Sequence, residues 1–179
     1  MGRFIAGLLA IILVFVFVDV IEPNGYGFFS KVGNGKVAVV THFGKTQDET
    51  LEPGFHVKPF FNVLHPMSVQ TQTMTIDLSA FSSDIQQVNA LVTLNYNVDK
   101  TNAVTLFRDV GKNYVTSLMN PRVQENTKIV FSHYTAENLV QKRDTLSAEI
   151  LTLMQEDLAP YGINVSAVAI EDIDFTDAF

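Results

Sequence analysis

The chain has 179 residues, no cysteine and a formal net charge of −7. The missing cysteine excludes disulfides, thiolate catalysis and cysteine-ligated metals. The acidic balance, without any cluster of lysine or arginine, argues against nucleic acid as a partner.

The first predicted element is an unbroken apolar run, Phe4–Val18 (FIAGLLAIILVFVFV), with Arg3 in front and Asp19 behind. As a helix it reaches about 22 Å, against a hydrocarbon core of about 30 Å. Adding Val20 and Ile21 extends it to about 27 Å and leaves Asp19 at headgroup level, where ionisation costs little. Pro23, Asn24 and Gly25 end it. A transmembrane anchor over residues 1–21 is expected, with Phe4, Leu8, Ile12, Phe15 and Val18 facing lipid. A cleaved signal peptide is one alternative, although Asp19-Val20-Ile21-Glu22 offers no small-x-small cleavage site. A buried core helix is another, and the lack of a polar face argues against it. Arg3 on one side and Asp19 and Glu22 on the other predict a cytoplasmic N-terminus, with the remaining domain on the opposite face of a bacterial plasma membrane or mitochondrial inner membrane.

Residues 22–35 read as a linker, with Gly25-Tyr26-Gly27 and Gly33-Asn34-Gly35 as its flexible points. The part beyond the anchor is the size of one ordinary domain or two very small ones. Lys36–Phe43 is β-branched and ends at Gly44, which predicts a strand and a turn. Leu51–Phe61 holds two prolines and a Pro-Gly turn, so it reads as a loop or a broken edge strand. In Met67–Leu78 the apolar residues change from odd positions to even ones across Gln70–Thr73. A bulge, or a strand passing from one small sheet to another, would account for the change. Val88–Val98 alternates cleanly and predicts a half-buried strand.

Helices follow. Ala103, Leu106 and Phe107 share a face in a short helix stopped near Gly111. Tyr114–Phe131 has a helical pattern that Pro121 must kink or restart, with Asn120-Pro121 as cap and first turn. Thr135 caps a longer helix to about residue 159, with Glu137 in its first turn. Leu139, Leu146, Ile150, Leu153, Met154 and Leu158 form its apolar stripe. Pro160-Tyr161-Gly162 stops it, and Ile163–Phe175 is a final strand, apolar first and acidic later. The order β-β-β-α-α-α-β predicts an α+β fold, with helices packed on a small antiparallel sheet.

Chemical motifs are absent from this pattern. His42, His56, His65 and His133 have no ligand spacing, and there is no GxSxG or phosphate-binding glycine loop. No catalytic, cofactor-binding or metal-binding residue is assigned, and no cofactor is expected. Asp172 and Asp174 share a strand face and, with Glu171 and Asp177, could be taken for a cation site, the alternatives being a solvated acidic strand end leading into an exit helix and an edge on which a partner docks. Two aromatic groups, Tyr26/Phe28/Phe29 and Phe55/Phe60/Phe61, fit a bilayer interface. Membrane contact is expected through Phe28, Phe29, Phe60 and Phe61, the alternative being that these rings are core.

The segments that carry a family resemblance are collinear. They are Gly35–Lys45 (GKVAVVTHFGK), Leu51–His56 (LEPGFH), Thr71–Met74 (TQTM), Leu94–Val98 (LNYNV), Tyr134–Leu139 (YTAENL) with Lys142-Arg143, Leu158–Ile163 (LAPYGI) and Ile170–Phe175 (IEDIDF). Over Lys36–Phe175 the chain resembles the band 7 (SPFH) superfamily of stomatin, prohibitin and flotillin, and within it the prohibitin-like proteins. The resemblance implies a membrane-anchored scaffold without enzyme activity, which assembles with itself or a paralogue into large rings or cages and organises membrane microdomains. It also implies association with a membrane-embedded AAA protease and modulation of that protease's access to substrates. Subunit contacts are then expected from Arg143, Glu171, Asp172 and Asp174. Relatives continue past the acidic strand into a long charged coiled coil. Residues 176–179 are read as the start of such a helix, the chain being a fragment or a member with altered assembly. Two other classes stand beside this reading: a monomeric lipid- or partner-binding module, and a membrane-tethered hydrolase, which lacks any nucleophile–base pattern.

Overall fold

The computed structural model describes residues 2–21 and 27–175, with side chains described for 5–14 and 27–175. The chain divides into two compact units, residues 1–69 and 70–179.

The first unit begins with helix α1 (Gly2–Ile21). Its side chains from Ile5 to Val14 are all exposed, Leu8 at 63% and Ile12 at 50%. Those of Phe4, Phe15 and Val18 lie outside the described residues. Among the described residues no helix is long and apolar enough to cross a membrane. The single-pass anchor expected over 1–21 is therefore not supported by the fold. The stretch with described side chains spans only about 15 Å as a helix.

Five strands follow: β1 (Phe29–Val32), β2 (Lys36–His42), β3 (Lys45–Leu51), β4 (Gly54–Val57) and β5 (Asn62–Ser68). β1 pairs with β4, and a separate sheet has the order β3–β2–β5. β2 is the strand read from the sequence, and as the central strand it is buried on both faces from Val37 to Thr41. Phe43 (φ 48°) and Gly44 (φ 83°) form the two-residue turn into β3, because His42 and Lys45 are paired across it. Positive φ at both central residues gives a turn whose twist matches that of the strands. β3 (KTQDETL) is a polar edge strand, which is why no apolar alternation announces it. Pro66 is tolerated in β5 because β5 is the other edge. Val32, Ala38, Val40 and Leu64, with Leu51, make a small core. β1 corrects the linker reading of 22–35, since Phe29–Val32 is a strand. β4 corrects the loop alternative for 51–61 in favour of a strand beside the Pro-Gly turn.

The change of face near residue 70 is the passage between sheets. β5 ends at Ser68, and β6 (Gln72–Phe81) opens a second sheet, ordered β6–β7–β8, with β7 at Gln87–Val98 and β8 at Ile163–Phe175. β7 alternates as predicted: Val88, Ala90, Val92, Leu94, Tyr96 and Val98 are buried and the residues between them are half-exposed. Register shifts in β8 at Ser166 and Glu171 leave Ile170 and Ile173 both buried, although three apart. Each such insertion turns the next side chain to the other face.

The helices of this unit are α2 (Ala103–Asp109), α3 (Asn120–Ser132), α4 (Ala136–Gln141) and α5 (Arg143–Leu158). α3 packs on β6 and α5 on β8. The expected cap at Asn120 is not formed. A π-helical turn over Val115–Met119 runs straight into α3, with Asn120 N–H donating to Val115 O. Pro121 has no N–H to donate, so the widened turn accommodates it where a regular helix would be broken. Thr135 does cap α4, its side chain accepting from Asn138 N–H. The single helix expected from 135 to 159 is two, broken at Lys142 (φ −115°, ψ 32°). The predicted stripe is buried at Leu139, Leu146, Ile150, Met154 and Leu158, while Leu153 is only half-buried. Gly162 (φ 70°) ends the turn after α5, and a Cβ there would collide with the Asn102 side chain.

Candidate membrane-contact and subunit-contact surfaces

The first surface belongs to the strand unit and is made of rings. Phe28 and Phe29 are exposed, while Phe60 and Phe61 are half-buried, so none of the four is a core residue. Each is paired: Phe28 with Phe60 at 5.8 Å, Phe29 with Phe55 at 5.7 Å, and Phe61 with Phe43 at 4.9 Å between centroids. The Phe29–Phe55 pair follows from register, since Phe29 faces Val57 and Lys31 faces Phe55, leaving the two rings on a cross-strand diagonal.

Backbone and side-chain bonds fix the segments that carry the rings. Lys58 N–H donates to Phe28 O at 2.9 Å, and Gly27 N–H to Phe60 O at 3.4 Å. The buried Lys58 ammonium donates to Gly27 O at 2.7 Å and to Asn62 O at 2.6 Å. A buried cation held by carbonyl oxygens spares the desolvation cost of an unpartnered charge. Phe43 is 77% exposed and Phe55 69%. Phe43 is absent from the sequence-based site; its signal was an aromatic residue at a hairpin tip, directly before glycine. Tyr26 lies outside the described residues.

Histidine chemistry here is ordinary hydrogen bonding. His42 Nδ1 is 2.8 Å from Asn62 Oδ1, His65 Nε2 is 3.0 Å from Thr41 Oγ1, and His56 Nε2 is 2.7 Å from Glu52 O. Among the described residues no group of three or more histidine or carboxylate side chains is placed to hold a metal.

The second surface belongs to the other unit. The sheet face away from the buried positions of β7 is polar and cross-linked. Thr73 donates to Asn95 Oδ1 at 2.8 Å, Ser79 to Asn89 Oδ1 at 2.6 Å, and the Thr75 and Thr93 hydroxyls lie 2.8 Å apart. Asp172 and Asp174 flank the buried Ile173 and join Asp77 in an open hollow of about 440 Å³. Glu171 stands at the bulge, and Asp177 lies outside the described residues. Arg143 is brought to β8, but beside residues 166–170 at the N-terminal end of α5. The four predicted contact residues therefore fall at two separate places, Arg143 on α5 beside residues 166–170 and Glu171, Asp172 and Asp174 further along β8.

Two further groups show how the helices are held. Asp84, in the β6–β7 loop, accepts from Ala136 N–H at 3.0 Å, and Ser83 N–H donates to Tyr134 O at 2.9 Å. Hydrogen bonding from Ser82, then from the Ala136 amide, holds the Asp84 carboxyl below its usual range. Burial, reinforced by Tyr114, pushes the Tyr96 phenol up to about 12.

A family model described as "SPFH domain / Band 7 family" matches residues 30–179. The chain is 23% identical over 156 residues to "Prohibitin-7, mitochondrial" of Arabidopsis thaliana, covering 87% of this chain and 56% of that protein. It is 21% identical over 144 residues to "Prohibitin-2" of Dictyostelium discoideum, covering 80% and 49%. To "Mitochondrial prohibitin complex protein 1" of Caenorhabditis elegans it is 18% identical over 148 residues, covering 82% and 54%. The chain spans about half the length of the curated relatives it matches. The match over residues 30–179 shows that the chain belongs to the SPFH domain / Band 7 family.

Proposed function

We propose that this chain is a membrane-associated, non-enzymatic scaffold that assembles with further copies of itself or a paralogue and organises the membrane around it. Family membership over residues 30–179 carries the reading. Two physical observations support it. Helix α1 leaves its apolar side chains exposed, Ile5 to Val14. In water such surface costs roughly 25 cal/mol per Å², and lipid removes that cost. The paired rings of Phe28, Phe29, Phe60 and Phe61 add an aromatic surface of the kind that favours headgroup depth.

In this reading α1 enters the bilayer with its N-terminus cytoplasmic, and the strand and helix units lie on the opposite face. Subunits meet through Arg143 of one copy and Glu171, Asp172 and Asp174 of the next, a pairing of opposite charges. An AAA protease embedded in the same membrane is the proposed client, its access to substrates limited by the assembly.

The test is particle mass after gentle detergent extraction, by light scattering. An assembly of many copies supports the scaffold. A monomer would reject it and leave a lipid- or partner-binding module.

A further inference from the structure

β8 is an edge strand, since the sheet order is β6–β7–β8. Beside its edge lies an open groove of about 450 Å³, walled by Arg143, Asp144, Ser147, Ala148 and Leu151 of α5 and floored by Ser166–Ile170. The bulges at Ser166 and Glu171 bracket Ala167–Ile170 as a regular stretch. Just upstream, the Val165 carbonyl is already capped by Gln155 Nε2 at 2.9 Å. Along 167–170 the outward backbone groups carry no such cap among the described residues. Downstream stand Glu171, Asp172 and Asp174, all exposed.

We propose that this groove takes up an extended segment of a partner protein by strand addition. The segment runs antiparallel to β8. Its lysine- and arginine-rich N-terminal part lies against Glu171–Asp174, and its small and β-branched residues lie along Ala167–Ile170. Main-chain hydrogen bonds to an open edge supply affinity, and the space beside it selects side chains. Ser147 and Ala148 leave room on the helix side, and Leu151 and Val168 give an apolar lining. Charge decides the occupant. The acidic strand end, Glu171, Asp172 and Asp174, attracts a segment rich in lysine and arginine. The proposal goes beyond the scaffold reading, and a basic segment would compete with Arg143 of a neighbouring copy for the same three carboxylates.

The test uses the whole chain in detergent micelles and a fluorescent synthetic peptide, Lys-Arg-Lys-Val-Thr-Val-Ser-Val, followed by anisotropy. Saturable binding is expected. It should weaken by at least about tenfold when Ala148→Trp fills the groove. Ala148 is exposed, so unchanged circular dichroism is expected for that variant. A peptide N-methylated at alternate residues keeps its charge but loses N–H donors, and should bind at least about tenfold less well. Equal binding of the methylated peptide would mean charge attraction alone and overturn strand addition. Absence of binding would also overturn it. A peptide-free dimer split by Ala148→Trp would assign the groove to a second copy and overturn the partner-segment proposal.

Discussion

The two units handle apolar side chains in opposite ways. In the helix-covered sheet, every second residue of β7 from Val88 to Val98 is buried, and the open face is a lattice of threonine, serine and asparagine. In the strand unit, β2 is buried but Phe28, Phe29, Phe43, Phe55 and Val57 are exposed. The first pattern is what water selects. The second leaves rings where water gains nothing from them, paired with one another and fastened by Lys58. The difference teaches that the open face of β7 is finished with hydrogen-bonding side chains, while the strand unit gathers its exposed rings into pairs; in the helix-covered unit the exposed apolar side chains, Phe81, Ile85, Ile129 and Val140, lie outside β7.

If that contrast is right, changes in the helix-covered unit alter stability, and changes to the rings alter only what they touch. The largest effect is expected from Leu94→Ala, in the centre of β7 and fully buried. It should lower unfolding free energy by roughly 2–5 kcal/mol in urea titration. Next comes Gly162→Ala, which must hold φ 70° and push against Asn102. A loss of roughly 1–3 kcal/mol is expected. Ile85→Gly should act in the other sense. Ile85 has φ 62° and is 81% exposed, so it bears left-handed strain and little packing. Its replacement should stabilise by about 1 kcal/mol.

A pH series sharpens the picture of the β6–β7 loop. The Asp84 carboxyl is held below its usual value by Ser82 and the Ala136 amide. Its stabilising contribution is therefore complete above its unfolded-state value and is lost as pH falls through the lower folded-state value. Stability should decline below about pH 4, and more shallowly in Asp84→Asn. The smallest stability change is expected from Phe43→Ser and Phe55→Ser, within about 0.5 kcal/mol each. Lipid vesicles should nevertheless raise the Tm of the native chain more than that of the double variant. Equal shifts would break the contrast.

How far the sequence could be read follows the same division. β7 and the stripe from Leu139 to Leu158 were legible because burial on one side imposes a period, whereas β2 and β8 were legible as β-branched and apolar runs. The change of face near Gln70–Thr73 marked a passage between sheets. β1 and β3 were not legible: the first is short and glycine-flanked, the second is a polar edge whose residues meet water on most sides. The break at Lys142 was hidden because helical spacing continues across it. Arg143, Glu171, Asp172 and Asp174 were named from a resemblance, and the groove between α5 and β8 had no signal in one dimension. Phe28, Phe29, Phe60 and Phe61 were legible as aromatic, but their ring partners Phe43 and Phe55 depended on strand register.

The chain has no cysteine, so a single probe can be placed without background. Phe43→Cys, labelled with an environment-sensitive dye, in the whole chain reconstituted into liposomes tests the central claim most directly, with Thr93→Cys on the polar sheet face as reference. The account predicts a blue-shifted emission at position 43, quenched by lipids spin-labelled near the headgroup, and an unquenched, water-like emission at position 93. Water-like emission at both positions would contradict it.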